Sequence, residues 1–292
     1  MVSRSKEVLD ASNVSLILPT FNGLSYTRSL LDSLSDTYIK DIQLIIINDA
    51  STDGTREYLE ALKIPNLQIV HNSSNLGYAS SCNLGASIAD YERLCFLNND
   101  LILSGDWLEP LVSGLSLPDA GLVGCVQTNP STNLIDHAGM YFDVKGMPRH
   151  AGHKFKRLPS DSYIEWSAVT AACFAIRKSV FDQVDRFDTS YRNGYEDVDL
   201  CLRLSLKGYR HYVANHSRIF HHVSKSPGRK LHEDRNAKIF IERWGELTRQ
   251  LGRREWPMEY LRICRNRPSK IRLGQLFKAL WLLLAIGSPA GI

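Results

Sequence analysis

The sequence predicts an α/β fold, in which a mostly parallel β-sheet is flanked by helices. Two observations predict it. Apolar runs of strand length alternate with helical patterns through the first hundred residues, which is typical of a parallel sheet covered on both faces. A polar loop follows each apolar run, and ligands of such sheets bind beyond the carboxyl ends of the strands. With 292 residues, 43% of them hydrophobic, the chain can bury a large core.

Strands and helices alternate in order through this first part. Four apolar runs predict strands at residues 14–18, 42–47, 67–70 and 93–97. We expect the first strand to end at Pro19, because proline cannot donate to a strand ladder. Helical patterns lie between the strands, at residues 26–34, 55–62 and 79–89.

The second half predicts a more irregular arrangement. An apolar strand of small residues is expected at 171–176, a helix at 178–184, and a further helix beginning at Glu196 with acids in its first turn. Residues 134–158 predict an irregular hairpin. Its three histidines, which we interpret as acceptor-side or surface residues because they lack metal spacing, are His137, His150 and His153.

The four strand ends share a polar character. The loops at residues 19–23, 48–55, 72–78 and 98–100 are rich in Asn, Asp, Ser and Gly. Ordinary turn chemistry explains any one of them, but four on one rim favour a ligand site. No GxGxxG or Walker lysine motif is present, so we expect a divalent metal to neutralise bound phosphates, with Asp100 as one ligand.

The charge and the cysteine content indicate which classes of protein the chain does not resemble. A net charge of +4 argues against a nucleic-acid binder, but residues 249–278 hold nine Lys/Arg and two Glu, a local excess of +7. Six cysteines without a CxxC pair are typical of reduced core thiols in a cytosolic protein. The first residues lack the apolar core of a signal peptide.

Seven segments, in this order, resemble glycosyltransferase family 2, and more narrowly its bacterial rhamnosyltransferase-like subgroup. They are "LPTFNG", "INDASTDGT", "NLGYASSCNLG", "FLNNDLIL", "ACFAIRKSVFDQVDRFD", "GYEDVDLCLRLSLKGYR" and "IFHHVSKSPG". The resemblance covers residues 13–230. It implies a GT-A-type mostly parallel sheet with an antiparallel acceptor-side portion and a helical C-terminal tail. We therefore expect a catalytic domain at 1–245, divided into a nucleotide-sugar half (13–110) and an acceptor half (111–245), and a tail at 246–292.

The resemblance also implies roles for individual residues. Asp197 matches the general base, and Glu196 beside it is expected to orient the acceptor or protein groups. Asp100 and His221 match the ligands of a divalent metal, Mg²⁺ or Mn²⁺. Asn98 departs from the family pattern, since it stands where the first Asp of a DxD motif would be. The residues implied to bind the nucleotide sugar are Thr20, Asn22, Asp49, Asn75, Gly77, Asn98 and Asn99.

The expected activity is inverting transfer of a sugar from a nucleotide-diphosphate sugar to an acceptor hydroxyl in cell-surface glycan or polysaccharide synthesis. The acceptor is expected to be a glycan or a lipid-linked molecule. Two alternatives stay open: a nucleotidyltransferase on a related sheet, and a non-catalytic nucleotide-sugar binding protein. Nothing in the sequence discriminates between rhamnose, galactose and N-acetylglucosamine as the donor sugar.

Outside the motifs, several cations and an apolar tail helix call for an explanation. Arg186, Arg192 and Lys225 are candidate diphosphate or acceptor contacts, and residues 224–230 predict either a closing loop or a solvated one. Residues 276–286 predict an apolar helix too short to span a bilayer. With the basic stretch before it, this helix predicts peripheral contact with the inner face of the cytoplasmic membrane, or a homo-oligomer contact. A helix docked on the core is the alternative.

Overall fold

The computed structural model describes residues 12–35, 41–155, 158–222 and 232–286. Within these ranges the strands are β1 (Val14–Thr20), β2 (Ile42–Asn48), β3 (Leu67–His71), β4 (Arg93–Leu97), β5 (Leu101–Leu103), β6 (Ala120–Thr128), β7 (Ile135–His137), β8 (Met140–Phe142), β9 (Pro148–His150), β10 (Tyr163–Trp166), β11 (Cys173–Arg177) and β12 (Arg210–His221). The helices are α1 (Leu24–Ser35), α2 (Thr55–Glu60), α3 (Tyr78–Ser87), α4 (Glu109–Gly114), α5 (Lys178–Asp182), α6 (Glu196–Leu206), α7 (Glu233–Asn266) and α8 (Leu273–Ile286).

One half of the main sheet is parallel. The order of its main path is β10-β12-β6-β11-β4-β1-β2-β3, and β1 pairs in parallel with both β2 and β4. The four strands predicted in the first part of the chain are confirmed. The predicted end of β1 at Pro19 is wrong, because the strand continues to Thr20, whose carbonyl accepts a hydrogen bond from the Asp49 N–H at 2.8 Å.

The other half of the sheet is largely antiparallel. β11 runs antiparallel to β4 and β6, and β12 runs antiparallel to β10 and β5 but parallel to β6. The strand predicted at 171–176 begins later, at Cys173. Ala171 and Ala172 precede it, and the Ala172 carbonyl accepts from the Asn98 N–H at 2.8 Å. These two small residues therefore lie at the end of β4, where the cleft opens.

Each face of the sheet packs a separate apolar cluster. On one face, Phe96 stacks on Phe174 with ring centroids 4.8 Å apart, and Phe181 and Phe187 meet them edge-on. On the other face, Leu16, Leu18 and Trp107 are buried with α1 and α4 residues. All six cysteines are free, and burial raises the pKa of four of them, Cys82, Cys125, Cys173 and Cys201, so they are thiols in the core.

Helix α7 packs against the core of the protein along much of its length. Phe240, Trp244 and Thr248 are buried. At Gly252 an added Cβ would lie 1.9 Å from the Asp143 carbonyl oxygen, so only glycine allows the helix to approach the β8–β9 hairpin this closely. The domain boundary expected at 245 falls inside this helix. No helix in the described ranges is both long enough and apolar enough to cross a bilayer.

His211 is a buried titratable group in the sheet. Its Nδ1 accepts from the Leu122 N–H at 3.1 Å, and its Nε2 lies 2.9 Å from the Cys201 carbonyl and 3.1 Å from Ser205 Oγ. Burial lowers the pKa of His211 from 6.5 to about 4. Between these two values the unfolded chain binds a proton at His211 that the folded chain does not bind, so acidification favours unfolding.

We therefore expect the free energy of unfolding to fall as the pH drops from about 6.5 to about 4. His211→Asn should reduce that slope by about one proton, or about 1.4 kcal/mol per pH unit. Urea unfolding at a series of pH values measures the slope. His216→Asn, at an exposed position on the same strand, is the control and should leave the slope unchanged. An equal slope in wild type and His211→Asn would contradict the assignment.

Candidate functional site

A cleft of about 950 Å³ opens over the carboxyl ends of β1, β2 and β4. This position and size are typical of ligand sites in sheets of this kind. Nine of the eleven residues predicted for the site line it: Thr20, Asp49, Asn75, Gly77, Asn98, Asn99, Glu196, Asp197 and His221. Asn22 and Asp100 are not among the lining residues. The start of α6 and residues 170–172 form the opposite wall.

The carboxylate of Asp49 holds the loop that follows β3. Its Oδ1 accepts from Asn72 Nδ2 at 2.7 Å and from the Leu76 N–H at 2.9 Å, and its Oδ2 accepts from the Gly77 N–H at 2.8 Å. Gly77 has a φ of 88°, a left-handed conformation that favours glycine. Asp49 is buried yet borders the cleft, so its carboxylate both fixes the shape of the loop and faces the cleft.

Asn22 and Asn99 brace the rim. Asn99 Nδ2 lies 3.2 Å from Thr20 Oγ1, Thr27 Oγ1 and the Asn22 carbonyl, which ties the end of β4 to the loop before α1. Asn22 Oδ1 accepts from the Thr52 N–H at 2.8 Å. The structure therefore gives both amides a protein partner, and it places Asn22 outside the cleft that the sequence predicted for it.

Asp100 and His221 form a pair at the base of the rim. His221 Nε2 lies 3.2 Å from Asp100 Oδ1, and His221 Nδ1 lies 2.8 Å from Gln127 Oε1. When Nδ1–H donates to the glutamine oxygen, Nε2 turns a lone pair toward the carboxylate. Two acceptors at this distance require a proton or a metal ion between them, so the pair fits a divalent ion.

The protein supplies only part of a coordination sphere. Among the described residues, no group of three or more His, Cys, Asp or Glu side chains is placed to hold a metal. Asn98 lines the cleft, and its N–H donates to the Ala172 carbonyl at 2.8 Å. An ion at Asp100 and His221 would therefore take its other ligands from substrate oxygens and water, which is usual for Mg²⁺ with phosphates.

The wall opposite the strand ends includes the first turn of α6. Asp197 is half-buried and lines the cleft, where its Oδ2 accepts from the Ala171 N–H at 3.1 Å and its Oδ1 from the Val198 N–H at 2.8 Å. Glu196 is buried, and its Oε2 accepts from the Gly194 N–H at 2.6 Å. The helix starts where the sequence predicted, and its two acids have different surroundings.

Asp199 is a structural carboxylate on the opposite side of this helix. It is fully buried and accepts from Arg203 Nε at 2.7 Å, from Arg243 Nη1 at 2.8 Å and from Trp244 Nε1 at 2.8 Å. Arg203 also donates to the Arg186 carbonyl at 2.7 Å. Asp199 therefore fastens α6 to α7.

A strained turn leads into α6, and a residue that the sequence interpretation missed holds it. Asn193, Gly194 and Tyr195 all have positive φ, with Tyr195 at 72°, an uncommon value for an aromatic residue. Asn236 on α7 is buried and donates from Nδ2 to the Arg192 carbonyl at 2.8 Å and the Gly194 carbonyl at 3.0 Å. Its Oδ1 accepts from the Arg192 N–H at 3.2 Å. No local pattern marks Asn236, because its partners lie more than forty residues away.

The three histidines of the hairpin have separate positions. His137 is buried; its Nε2 accepts from the Gly139 N–H at 3.2 Å, so its hydrogen is on Nδ1 and points to His150 Nδ1 at 2.8 Å. Burial, with the neighbouring His150 and His221, lowers the pKa of His137 well below its usual range. His150 lines the cleft, whereas His153 is exposed and lies 3.7 Å from Asp136.

The candidate cations contact protein groups. Arg186 pairs with Asp182 at 2.7 Å, and Arg192 Nη2 donates to the Asn75 carbonyl at 2.9 Å. Neither is among the described residues that line the cleft, so the interpretation as direct substrate contacts is not supported by the structure. Lys225 and the loop at 224–230 lie outside the described residues.

The fold and site define an α/β protein with a polar cleft at the carboxyl ends of its parallel strands, and comparison with known proteins identifies the family. The glycosyl transferase family 2 model matches residues 15–185, more than half of the chain. The chain belongs to glycosyl transferase family 2.

Curated relatives include proteins of very different length. The chain is 34% identical over 226 residues to the O-antigen biosynthesis protein RfbC of Myxococcus xanthus, covering 73% of the chain and 17% of that protein. It is 26% identical over 240 residues to the N-acetylglucosaminyl-diphospho-decaprenol L-rhamnosyltransferase of Mycobacterium tuberculosis, covering 73% of the chain and 77% of that protein. The first relative is therefore several times longer than the matched segment.

Two solved structures share the fold. One is GalNAc-T7 with UDP, GalNAc and Mn²⁺, with a TM-score of 0.62 and 18% identity over 74% of this chain and 44% of that chain. The other is the mannosyltransferase PcManGT from Pyrobaculum calidifontis with GDP-Man and Mn²⁺, with a TM-score of 0.59 and 18% identity over 97% of this chain and 78% of that chain. These similarities confirm the predicted GT-A-type fold.

Asn236→Ala should loosen the turn before α6. The change removes the partners of three backbone groups in a buried place, which should cost about 1–3 kcal/mol of unfolding free energy. Urea unfolding measures the loss, and hydrogen exchange should show faster exchange of the Arg192 amide. Lys238→Ala, at a well-exposed position on the same helix, is the control. Unchanged stability together with unchanged exchange at Arg192 would contradict the role given to Asn236.

Proposed function

We propose that the chain transfers a sugar from a nucleotide-diphosphate sugar to an acceptor hydroxyl, with inversion at the anomeric carbon and with the help of Mg²⁺ or Mn²⁺. One observation carries the proposal. One wall of a single cleft carries the polar strand ends and His221, whose Nε2 lies 3.2 Å from Asp100 Oδ1 behind it, and the other wall carries the half-buried carboxylate of Asp197. Transfer by direct displacement needs these two chemistries on opposite sides of a bound sugar.

The donor would lie on the rim of the parallel strands. Asp49 Oδ2 accepts one N–H bond, from Gly77, and an ionised carboxylate oxygen can accept a second from a base N–H. The Gly77 backbone and the Asn75 side chain border the same space. Thr20, Asn98 and His221 line the same cleft, and the diphosphate would bind beside them.

Asp100 and His221 would hold the divalent ion. Bound there, the ion would offset the negative charge that builds on the departing nucleoside diphosphate. Both structural neighbours contain Mn²⁺ together with a nucleotide or nucleotide sugar, which supports a divalent ion in the cleft of this protein. The protein itself would hold the carboxylate and the imidazole in position. Gln127 contacts the imidazole of His221, and the pairing of β5 with β12 places Asp100 beside His221.

Asp197 would take the proton from the acceptor hydroxyl. Two backbone N–H groups fix the orientation of its carboxylate, and each oxygen keeps a further lone pair for an incoming hydroxyl. Glu196 is the poorer candidate, because it is buried and already accepts from Gly194. Attack assisted by one carboxylate, with the leaving group on the far side of the sugar, inverts the anomeric configuration.

The acceptor is proposed from the relatives. The mycobacterial relative is named for rhamnosyl transfer to a decaprenol-linked sugar, and the Myxococcus relative for O-antigen biosynthesis. These names support a glycan or lipid-linked acceptor in the assembly of a surface polysaccharide. Met140, Pro148 and His150 belong to the β8–β9 hairpin and border the cleft, and such an acceptor would enter beside them.

Asp197→Asn should lower kcat by about 10²–10⁴-fold while leaving donor affinity nearly unchanged, because it keeps the shape and removes the basicity. Steady-state kinetics and donor titration measure the two effects. Glu196→Gln is the matched control and should cost less, since the amide oxygen can still accept from Gly194. Loss of turnover in Glu196→Gln alone would move the base to the neighbour, and an NMR spectrum showing a retained anomeric configuration would exclude single displacement.

Donor binding should depend on a divalent ion, and Asp100→Asn should remove that dependence because it takes away the carboxylate of the Asp100–His221 pair. The donor is first identified with a thermal-shift panel of nucleotide sugars, since a ligand at 100 times its Kd stabilises by about 2.7 kcal/mol. Calorimetric titration with Mn²⁺ and with EDTA then measures the dependence. Asp106→Asn, at an exposed carboxylate near β5, is the control. Equal affinity and turnover in EDTA would remove the metal from the proposal, and tight binding without turnover would favour a nucleotide-sugar binding protein.

A further inference from the structure

Helix α8 has two faces with different surroundings. Ala279 and Leu282 are buried against the rest of the protein, where α8 packs along α7. Five large apolar side chains point the other way: Leu273 is 68% exposed, Phe277 70%, Leu280 43%, Trp281 66% and Leu284 74%. At about 3.6 residues per turn these five positions fall within one stripe along the helix, opposite Ala279 and Leu282. We call them the α8 stripe.

The α8 stripe is not ordinary surface. Single exposed apolar residues are common, but five adjacent large ones on one helix face usually mark a binding surface. The helix is held in place by its contacts with α7 and by a pair of hydrogen bonds between Tyr260 and the backbone of Arg272 at 2.9 and 3.1 Å. The stripe is therefore presented to solvent by a fixed support.

The exposed charges of the segment that carries the α8 stripe have one sign. Six exposed cations lie on the second half of α7, on the connection to α8 and on α8 itself; we call them the basic rim, and they are Arg253, Arg254, Arg265, Lys270, Arg272 and Lys278. Both acids of this segment turn inward. Glu255 accepts from the Phe142 N–H at 2.8 Å, and Glu259 is buried and pairs with Arg262 at 3.1 Å. The solvent-facing charge between residues 249 and 278 is thus cationic.

We propose that the α8 stripe and the basic rim dock on a membrane surface that carries anionic lipids. The apolar stripe would enter the headgroup boundary with α8 lying in the plane of the membrane, and the cations would contact lipid phosphates. Aromatic side chains such as Trp281 and Phe277 suit that boundary.

Charge favours this occupant over a second copy of the chain. A symmetric contact through α8 would bring two basic rims together, and like charges oppose such an association. A membrane with anionic lipids offers an apolar interior for the α8 stripe and negative charge for the basic rim. The docking is a binding property and stands whether or not the cleft transfers a sugar.

Vesicle sedimentation tests the proposal with the full chain. Vesicles of phosphatidylcholine alone are compared with vesicles that also contain phosphatidylglycerol, at low and high salt. We expect binding to the anionic vesicles that weakens as salt rises. Phe277→Ser with Trp281→Ser should weaken binding by about 10–100-fold for each side chain removed from the apolar contact. Lys270→Gln with Arg272→Gln should weaken it by about fivefold for each charge and leave any binding to neutral vesicles unchanged.

Matched controls remove the same chemistry elsewhere. Leu206→Ser takes away an exposed leucine, and Lys238→Gln an exposed lysine, both at a distance in sequence from the α8 stripe. Both should bind as the wild type does. Circular dichroism and thermal melting check that each variant is folded. We expect folding to be retained, because the altered side chains are exposed.

Three results would overturn the proposal. The first is a wild-type chain that stays in the supernatant with anionic vesicles at low salt. The second is a Phe277 and Trp281 double variant that binds anionic vesicles as well as the wild type does. The third is a wild-type chain that binds no vesicles but forms a concentration-dependent dimer in sedimentation equilibrium, with the dimer lost in the double variant, because the stripe would then be a contact between two copies of the chain.

Discussion

The buried carboxylate of Asp199 is the interaction on which the acceptor side of the molecule depends. Three donors from Arg203, Arg243 and Trp244 offset the cost of burying its charge, which would otherwise amount to several kcal/mol. Because two of these donors lie on α7 and the carboxylate lies on α6, the two helices are fixed to each other. This contact fixes the position of the first turn of α6, which carries Asp197. It also fixes that turn relative to Asn236 on α7, which holds the strained turn before α6.

The donor side follows the same principle with different partners. Asp49 is also buried, and three N–H groups from the 72–77 loop satisfy its carboxylate, so the charge that shapes the rim is held by backbone and amide donors. At Asp100 the partner is instead an imidazole whose other nitrogen faces Gln127. That difference in chemistry is why we propose the metal at Asp100 and not at Asp49, and why we propose separate tasks for the two walls of the cleft.

The parallel half of the fold could be predicted from sequence because its signals are local. Continuous apolar runs mark β1 to β4, and polar residues follow each of them. The rest depends on contacts between distant segments. Asn236 reaches Arg192 across 44 residues, and Asn99 reaches Asn22 across 77, so no window of sequence shows the first as a clamp or the second as a brace. The continuous course of α7 past residue 245 is likewise decided by packing against the hairpin.

A crystal structure grown with Mn²⁺ and the nucleoside diphosphate of the identified donor tests the central proposal most directly. An anomalous difference map locates manganese without reference to any activity. We expect a peak within bonding distance, about 2.0–2.6 Å, of Asp100 Oδ1 and His221 Nε2, with the diphosphate completing the coordination and the base beside Asp49. A diphosphate bound in the cleft with no manganese there, and with Asp100 still in direct contact with His221, would contradict it.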